Sequence, residues 1–240
     1  MNINTLLPFG STAIILVFAA LVFRRYGERK GLHLLIWGIG LVMFGIGSLA
    51  ESYSVFGWNA LVFRSWYLFG AVLVAAWLGQ GTVYLLARRR VAHVLLVLLI
   101  LGSLFALQQV FSLPLDSSRF LASEPLSAQY REILPAGALV RKLTPIFNIY
   151  GTFTLIGGAI YSAWIFWRKR IMPHRVIGNT LIAIGALVIA FASTLTRLGL
   201  GQYLYLGELL AAILMFIGFL RATVEPTVPA SEPAKAPETA

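Results

Sequence analysis

The stretch Ala92–Phe111, AHVLLVLLILGSLFALQQVF, decides the fold class: it contains no Asp, Glu, Lys or Arg, and Arg88, Arg89 and Arg90 stand just before it. Coiled as an α-helix it rises about 30 Å, the thickness of a bilayer's hydrocarbon core. Its apolar residues are consecutive rather than alternating, and it is about twice as long as a barrel strand needs to be, so a helical span is the reading. Six more stretches have the same character: Leu6–Phe23, Leu32–Ala50, Ser65–Leu86, Thr144–Trp167, Val176–Thr196 and Tyr203–Leu220. The expectation is an all-α, polytopic bundle of seven transmembrane helices over residues 1–222. Thr223–Ala240 is rich in Pro, Ala and Glu, has no apolar face, and is expected to be a disordered cytoplasmic tail.

The whole composition agrees. The 240 residues are 59% apolar and 12% charged, with a mean hydropathy of +0.83. A soluble domain is about 45–50% apolar and about 25% charged, so a soluble globular reading is excluded. The chain has no Cys. A disulfide framework, a thiolate metal site and a thiol nucleophile are therefore excluded too.

Charge placement orients the bundle. Cations follow the first span (Arg24, Arg25, Arg29, Lys30), the third (Arg88–Arg90), the fifth (Arg168, Lys169, Arg170, Arg175) and the seventh (Arg221). The positive-inside rule makes these segments cytoplasmic, which places the N-terminus outside and the C-terminus in the cytoplasm of a multi-pass protein of the plasma or inner membrane. The first run has no basic residues before it and no small-residue cleavage pattern after it, so it reads as a retained helix rather than a signal peptide. The formal net charge is +10, and its two sides differ: 13 Lys and Arg face 4 Glu on the inner side, against 6 and 5 acids on the outer. The excess is thus an orientation signal that suits anionic headgroups, and nucleic acid is not an expected partner. A membrane-complex or cytoplasmic protein partner is the remaining expectation.

Helices in lipid associate through small residues and polar contacts. Gly38 with Gly45, and Gly40 with Gly47, recur at seven-residue spacing and predict two adjacent seams on the second span. Ala71, Ala75 and Gly79 predict one on the third, Ala186, Ala190 and Thr194 one on the sixth, and Gly151, Gly157 and Gly158 mark the fifth. Tyr and Trp near the span ends (Tyr26, Tyr53, Trp58, Trp66, Tyr67, Trp164, Trp167, Tyr203, Tyr205) suit an aromatic belt or a stacking platform. In the long outer loop Ser112–Leu143, the residues Leu126, Tyr130, Ile133 and Leu134 predict the apolar side of a short interfacial helix, a lid over the bundle, ended by Pro135.

Charges at membrane depth need a partner or a function. Glu51 ends the second span and Arg64 opens the third, while Arg197 ends the sixth and Glu208 lies just inside the seventh. Two ion pairs, Glu51–Arg64 and Arg197–Glu208, are expected, since a guanidinium holds a carboxylate bidentately. With Tyr67, Asn148 and Gln202 these four form the candidate ligand-binding set, lining a polar cavity at the outer helix ends. Gln80, Tyr84, Asn179 and Thr180 lie nearer the inner side and suit interhelical hydrogen bonds.

Several chemistries fail on residue placement. None of Lys30, Lys142, Lys169 and Lys235 is in mid-membrane to hold a retinal. His33, His93 and His174 sit at the cytoplasmic edge, so no clustered zinc set forms, and interfacial His rather than haem ligation is the reading of His33 and His93. No Ser or Thr has a His–carboxylate pair at its depth. No catalytic residue, metal or cofactor is expected.

Pro8-Phe9-Gly10 opens the first span and Pro145-Ile146-Phe147-Asn148 the fifth, and Tyr67-Leu68-Phe69-Gly70 echoes Leu204-Tyr205-Leu206-Gly207. These echoes suit parallel repeats of three spans joined by the fourth, a plan found among transporters. That topology is similar to the small sugar transporters with PQ-loop repeats, although the Pro-Gln dipeptide is missing at Pro8 and Pro145. The expected function is a sensor-like or accessory membrane protein. The alternative is a small transporter that moves a solute, with proton linkage through Glu208.

Overall fold

The computed structural model describes residues 3–198, 200 and 203–224, with the side chains of 3–6 and of Arg197 outside that description. The tail expected from Thr223 onward therefore falls almost wholly outside the described residues. Among those described there is no strand. Seven helices are long and apolar enough to cross a membrane, as in a multi-pass membrane protein. They are α1 (Ile3–Arg29), α2 (Leu32–Ser54), α3 (Ala60–Leu86), α4 (Arg89–Ser112), α6 (Leu139–Arg168), α7 (Pro173–Arg197) and α8 (Leu204–Ala222), with a short loop helix, α5 (Leu126–Ile133), between α4 and α6.

The fifth span begins five residues before the hydropathy suggests, at Leu139 rather than Thr144. Arg141 and Lys142 hide its first turns from a hydropathy scan, but Val140 is fully buried and Arg141 donates back to the carbonyl of Leu134 at 3.3 Å. At the start of α3, Asn59 caps the helix through its side-chain oxygen, which accepts from the N–H of Leu61 and Val62 at 2.9 and 3.1 Å.

Six spans form a ring in which α1 packs on α2, α2 on α3, α3 on α6, α6 on α7, α7 on α8 and α8 on α1. The seventh, α4, lies outside this ring against α3 and α6. Its contact stripe is Ala92, Leu99, Ala106 and Val110, and the rest of its surface (Val94, Val97, Leu98, Leu101) is exposed apolar side chain, as a lipid-facing helix requires. Gly102 accepts the ring of Phe147 from α6.

The glycine pattern explains the close approaches. A Cβ on Gly38 would meet Phe23, and one on Gly45 would meet Leu16, so this pair faces α1. A Cβ on Gly40 would meet Leu78, and one on Gly47 would lie 2.7 Å from the Cα of Gly70, so the second pair faces α3. The two seams of the second span thus seat two different neighbours. Gly151 sits against the backbone of Ala75 and Ala76, which brings α3 and α6 into direct contact. The sixth span departs from expectation. It packs on α8 through Gly178, which faces Gly218 and Ala222, and through Gly185, which faces Ala211 and Met215. Ala186, Ala190 and Thr194 instead line the interior.

Two spans contain wide, π-helical turns, Trp66–Leu73 in α3 and Phe153–Gly157 in α6. In α3 the N–H of Val74 reaches back five residues to the carbonyl of Phe69. A row of residues four apart drifts by about 40° per step around an α-helix, and a wider turn reverses that drift. Trp66, Gly70, Val74 and Leu78 therefore all stay on the inward face.

Candidate functional site

The ring encloses a central cavity of about 490 Å³, within the range of about 300–1,000 Å³ usual for small-molecule sites. Its walls come from α2 (Phe44, Gly47, Ser48, Glu51), α3 (Trp66 to Leu78), α6 (Thr144 to Ile156), α7 (Ala186 to Thr194) and α8 (Leu204, Glu208, Met215). The floor, toward the arginine-rich end, is apolar: Leu78, Leu155, Ile156, Ala186 and Met215 belong to a packed cluster with Phe18, Val22, Leu41 and Phe219. The roof is α5, whose Ser127 and Tyr130 reach the cavity.

The roof is held from below. Leu126, Ile133 and Leu134 are buried against Phe63, Trp66, Tyr67 and Val110, so the apolar side of the loop helix faces the bundle rather than a membrane interface. The helix stops at Ile133, and Leu134 is extended (φ −92°, ψ 139°), the conformation that Pro135 imposes on its predecessor. Inside the roof, Gln129 closes the loop on itself, donating to the carbonyls of Leu121 and Glu124 at 2.9 and 2.8 Å and accepting from the N–H of Leu121 at 2.7 Å.

Glu51 is the buried centre of this end, 1% exposed. Its Oε2 accepts from the backbone N–H of Leu126 at 3.3 Å and from the hydroxyl of Tyr205 at 3.2 Å. One carboxylate oxygen thus ties the roof, α2 and α8 together. Its Oε1 is buried without a hydrogen bond of its own, as are Oε2 of Glu208 and the hydroxyl of Ser127, while the Trp66 side chain and the Ser127 backbone lie beside the Glu51 carboxyl as donors. Both Glu51 and Glu208 line the cavity, and Tyr205 lies beside both carboxyl groups. No Lys, Arg or His is among the described lining residues.

The expected Glu51–Arg64 pair is not formed. Arg64 turns to the end of α4, donating to the carbonyls of Val110 and, at 2.8 Å, Leu113, and lies over the ring of Phe111 at 5.8 Å. Free carbonyls at a helix C-terminus carry partial negative charge and attract a guanidinium. Glu51 meanwhile gains a backbone donor from the roof, which the turn between the second and third spans could not supply. The Arg197–Glu208 pair and Gln202 fall outside the described side chains. Of the candidate set, the structure brings Glu51, Tyr67, Asn148 and Glu208 to one cavity and places Arg64 elsewhere. Asn148 donates to the carbonyl of Ala71 at 3.0 Å, and the Tyr67 hydroxyl lies 3.1 Å from that of Thr144.

Sequence reading missed Tyr205 as a carboxylate partner and Ser127, Tyr130 and Trp66 as lining residues. Tyr67 and Trp66 are buried in an aromatic group with Phe63, Trp58, Phe120 and Tyr130, not ranged in a belt. Trp164, Trp167 and Tyr203 are exposed, as belt residues are. Toward the arginine-rich end, Gln80 is fully buried, donates to the carbonyl of Ala92 at 2.8 Å and accepts from the Tyr150 hydroxyl, joining α3, α4 and α6. Tyr84 and His93 share a hydrogen bond of 2.6 Å. No protein family, curated protein or solved structure matches the chain.

Proposed function

We propose that the chain is a non-catalytic, sensor-like membrane protein that captures a small ligand bearing positive charge or hydrogen-bond donors in its central cavity. The carrying observation is the pair of buried oxygens without a hydrogen bond, Glu51 Oε1 and Glu208 Oε2, at one cavity without a cation among its described lining residues. Acidic groups held at membrane depth need a partner or a task, and an acceptor without a donor is costly until one arrives. A subunit that only helps to assemble a larger complex needs no such chamber. In this reading the roofed end faces outside and the arginine-rich end meets anionic headgroups and a cytoplasmic partner of the plasma or inner membrane, in keeping with the segregated cations.

A second reading, a small transporter, draws on two observations. The ring order places α1, α2 and α3 against α6, α7 and α8 with α4 outside, the arrangement that three-plus-one-plus-three repeats call for. The wide turns in α3 and α6 both border the cavity, and such turns mark functional places in helices.

The test is ligand binding by the full chain in lipid nanodiscs, titrated with primary alkylammonium ions of several chain lengths and followed by thermal melting. A saturable rise in melting temperature is expected, stabilisation reaching about 2.7 kcal/mol at a hundredfold excess over Kd, and lost in Glu51→Gln and Glu208→Gln. No rise with any ion contradicts the reading. Counterflow of the bound ion across proteoliposomes selects the transporter, and binding without flux selects the sensor.

A further inference from the structure

The cavity's walls do not all close. Helices α6 and α7 pack together from the wide turn Phe153–Gly157 toward the arginine-rich end, and toward the roofed end they part. The residues that border this gap line the cavity and are exposed at the same time: Pro145, Ile149, Thr152 and Phe153 on α6 and Thr194 on α7. Ile149 is 57% exposed and Phe153 75%. A residue that touches both the interior and the outer surface of the bundle marks an opening, and this one lies along the spans, at hydrocarbon depth. The route from water is obstructed by contrast. The roof helix lies across the helix ends with Leu126 and Ile133 1% exposed, and Glu51 pins it through the N–H of Leu126.

We infer that the ligand is an amphiphile that reaches the cavity sideways from the bilayer, through the gap between α6 and α7, with its cationic or hydrogen-bond-donating head at Glu51 and Glu208 and its apolar tail in the gap. This inference rests on the carboxylate-cavity reading above and names the ligand class of that same site. The chemistry of the gap is graded to match. Ile149, Phe153 and Thr194 border its mouth, and the partly buried Asn148 and Ser193 line the cavity with the two carboxyl groups. A volume of about 490 Å³ holds a polar head and several carbons but not a full lipid. The tail therefore stays in the gap, where exposed apolar side chains of α6 already face lipid. A purely water-soluble cation gains nothing from those side chains.

The test uses the full chain in lipid nanodiscs with three probes: dodecylamine, butylamine and dodecanoate. Binding is read by displacement of a spin-labelled dodecylamine that quenches tryptophan fluorescence, Trp66 being at the cavity. Dodecylamine is expected to compete at least tenfold better than butylamine at equal membrane-corrected concentration, and at least tenfold better than dodecanoate. Thr194→Trp, which narrows the mouth, is expected to slow association at least fivefold, and Phe153→Ala, which widens it, to quicken association. The opposed directions separate a gate from a general loss of fold. Equal competition by butylamine, with rates unchanged in both variants, overturns the lateral route while leaving the carboxylate site standing. Equal competition by dodecanoate overturns the assigned head-group chemistry. Displacement that is indifferent to Glu51→Gln and Glu208→Gln overturns the inference together with the function on which it rests.

Discussion

Single residues divide into those that hold the roof and those left with unmet bonding capacity, and Glu51 is both. Its Oε2 accepts from Leu126 and Tyr205 while its Oε1 has no hydrogen bond of its own. Tyr205→Phe removes one donor from a buried acceptor and is expected to cost about 1–3 kcal/mol, measured as a lower melting temperature of the full chain in detergent. Arg64 separates the expected ion pair from the one-sided arrangement observed. Arg64→Gln loosens the junction of α3 and α4, lowering the melting temperature, yet leaves ligand binding unchanged, since Arg64 bonds Val110 and Leu113 rather than Glu51. A loss of binding in that variant contradicts the assignment. In the outer loop, bonds from the Ser118 hydroxyl and then its N–H hold the Asp116 carboxyl below the usual carboxylate range. A lowered value favours the folded turn above the ordinary carboxylate range and withdraws that support as pH falls through the depressed value. The protection of the Ser118 N–H against hydrogen exchange, taken relative to the intrinsic exchange rate at each pH, is expected to fall only on that acid side. The carboxylates and their depth were legible in the sequence because charges are rare in these spans. Their partners were not, because the donors that meet Glu51 come from Leu126 and Tyr205, far along the chain, and a backbone N–H has no sequence signature.

At the scale of elements, periodicity carried the spans and the glycine seams, because small residues seven apart return to one helix face. The same logic misjudged the sixth span. Small residues also occur where a helix faces empty space, so Ala190 and Thr194 border the cavity, Ala186 both borders it and packs with Met215 and Phe219 of α8, and Gly178, two steps earlier on the same row, makes the close contact with α8 together with Gly185. The wide turns in α3 and α6 were not legible either. Nothing in the residue types of Trp66–Leu73 distinguishes them from ordinary helix, and the turns arise from how the inward face must track the ring. Two glycines of α6 give a matched pair for testing the seam. A Cβ at Gly151 would lie 2.2 Å from the carbonyl carbon of Ala75, whereas one at Gly157 meets nothing within 4 Å. Gly151→Ala is expected to destabilise by about 1–3 kcal/mol, the usual cost of overpacking. Gly157→Ala should be near neutral or slightly stabilising in the same melting assay. Equal effects at the two positions would contradict the close α3–α6 contact.

The whole molecule has two unlike ends. One is rich in Arg and sealed by packed Phe, Leu and Val. The other is roofed by a loop helix over a chamber whose wall parts between α6 and α7. The orientation read from charge assigns the first to the cytoplasm and is checked simply, because the chain has no Cys of its own. In intact cells a membrane-impermeant maleimide is expected to label Ala122→Cys and to spare Gly27→Cys, both positions being exposed; the reverse pattern inverts the bundle. The account as a whole stands on the two carboxyl groups sharing one ligand-accessible chamber. Its most direct test is modification by a hydrophobic carbodiimide, which reaches carboxyl groups from within the bilayer, with the adducts mapped by mass spectrometry with and without dodecylamine. The account predicts adducts at Glu51 and Glu208 that dodecylamine suppresses together. Adducts confined to Glu28, Glu124 and Glu132, or adducts at Glu51 and Glu208 that dodecylamine leaves untouched, would contradict it.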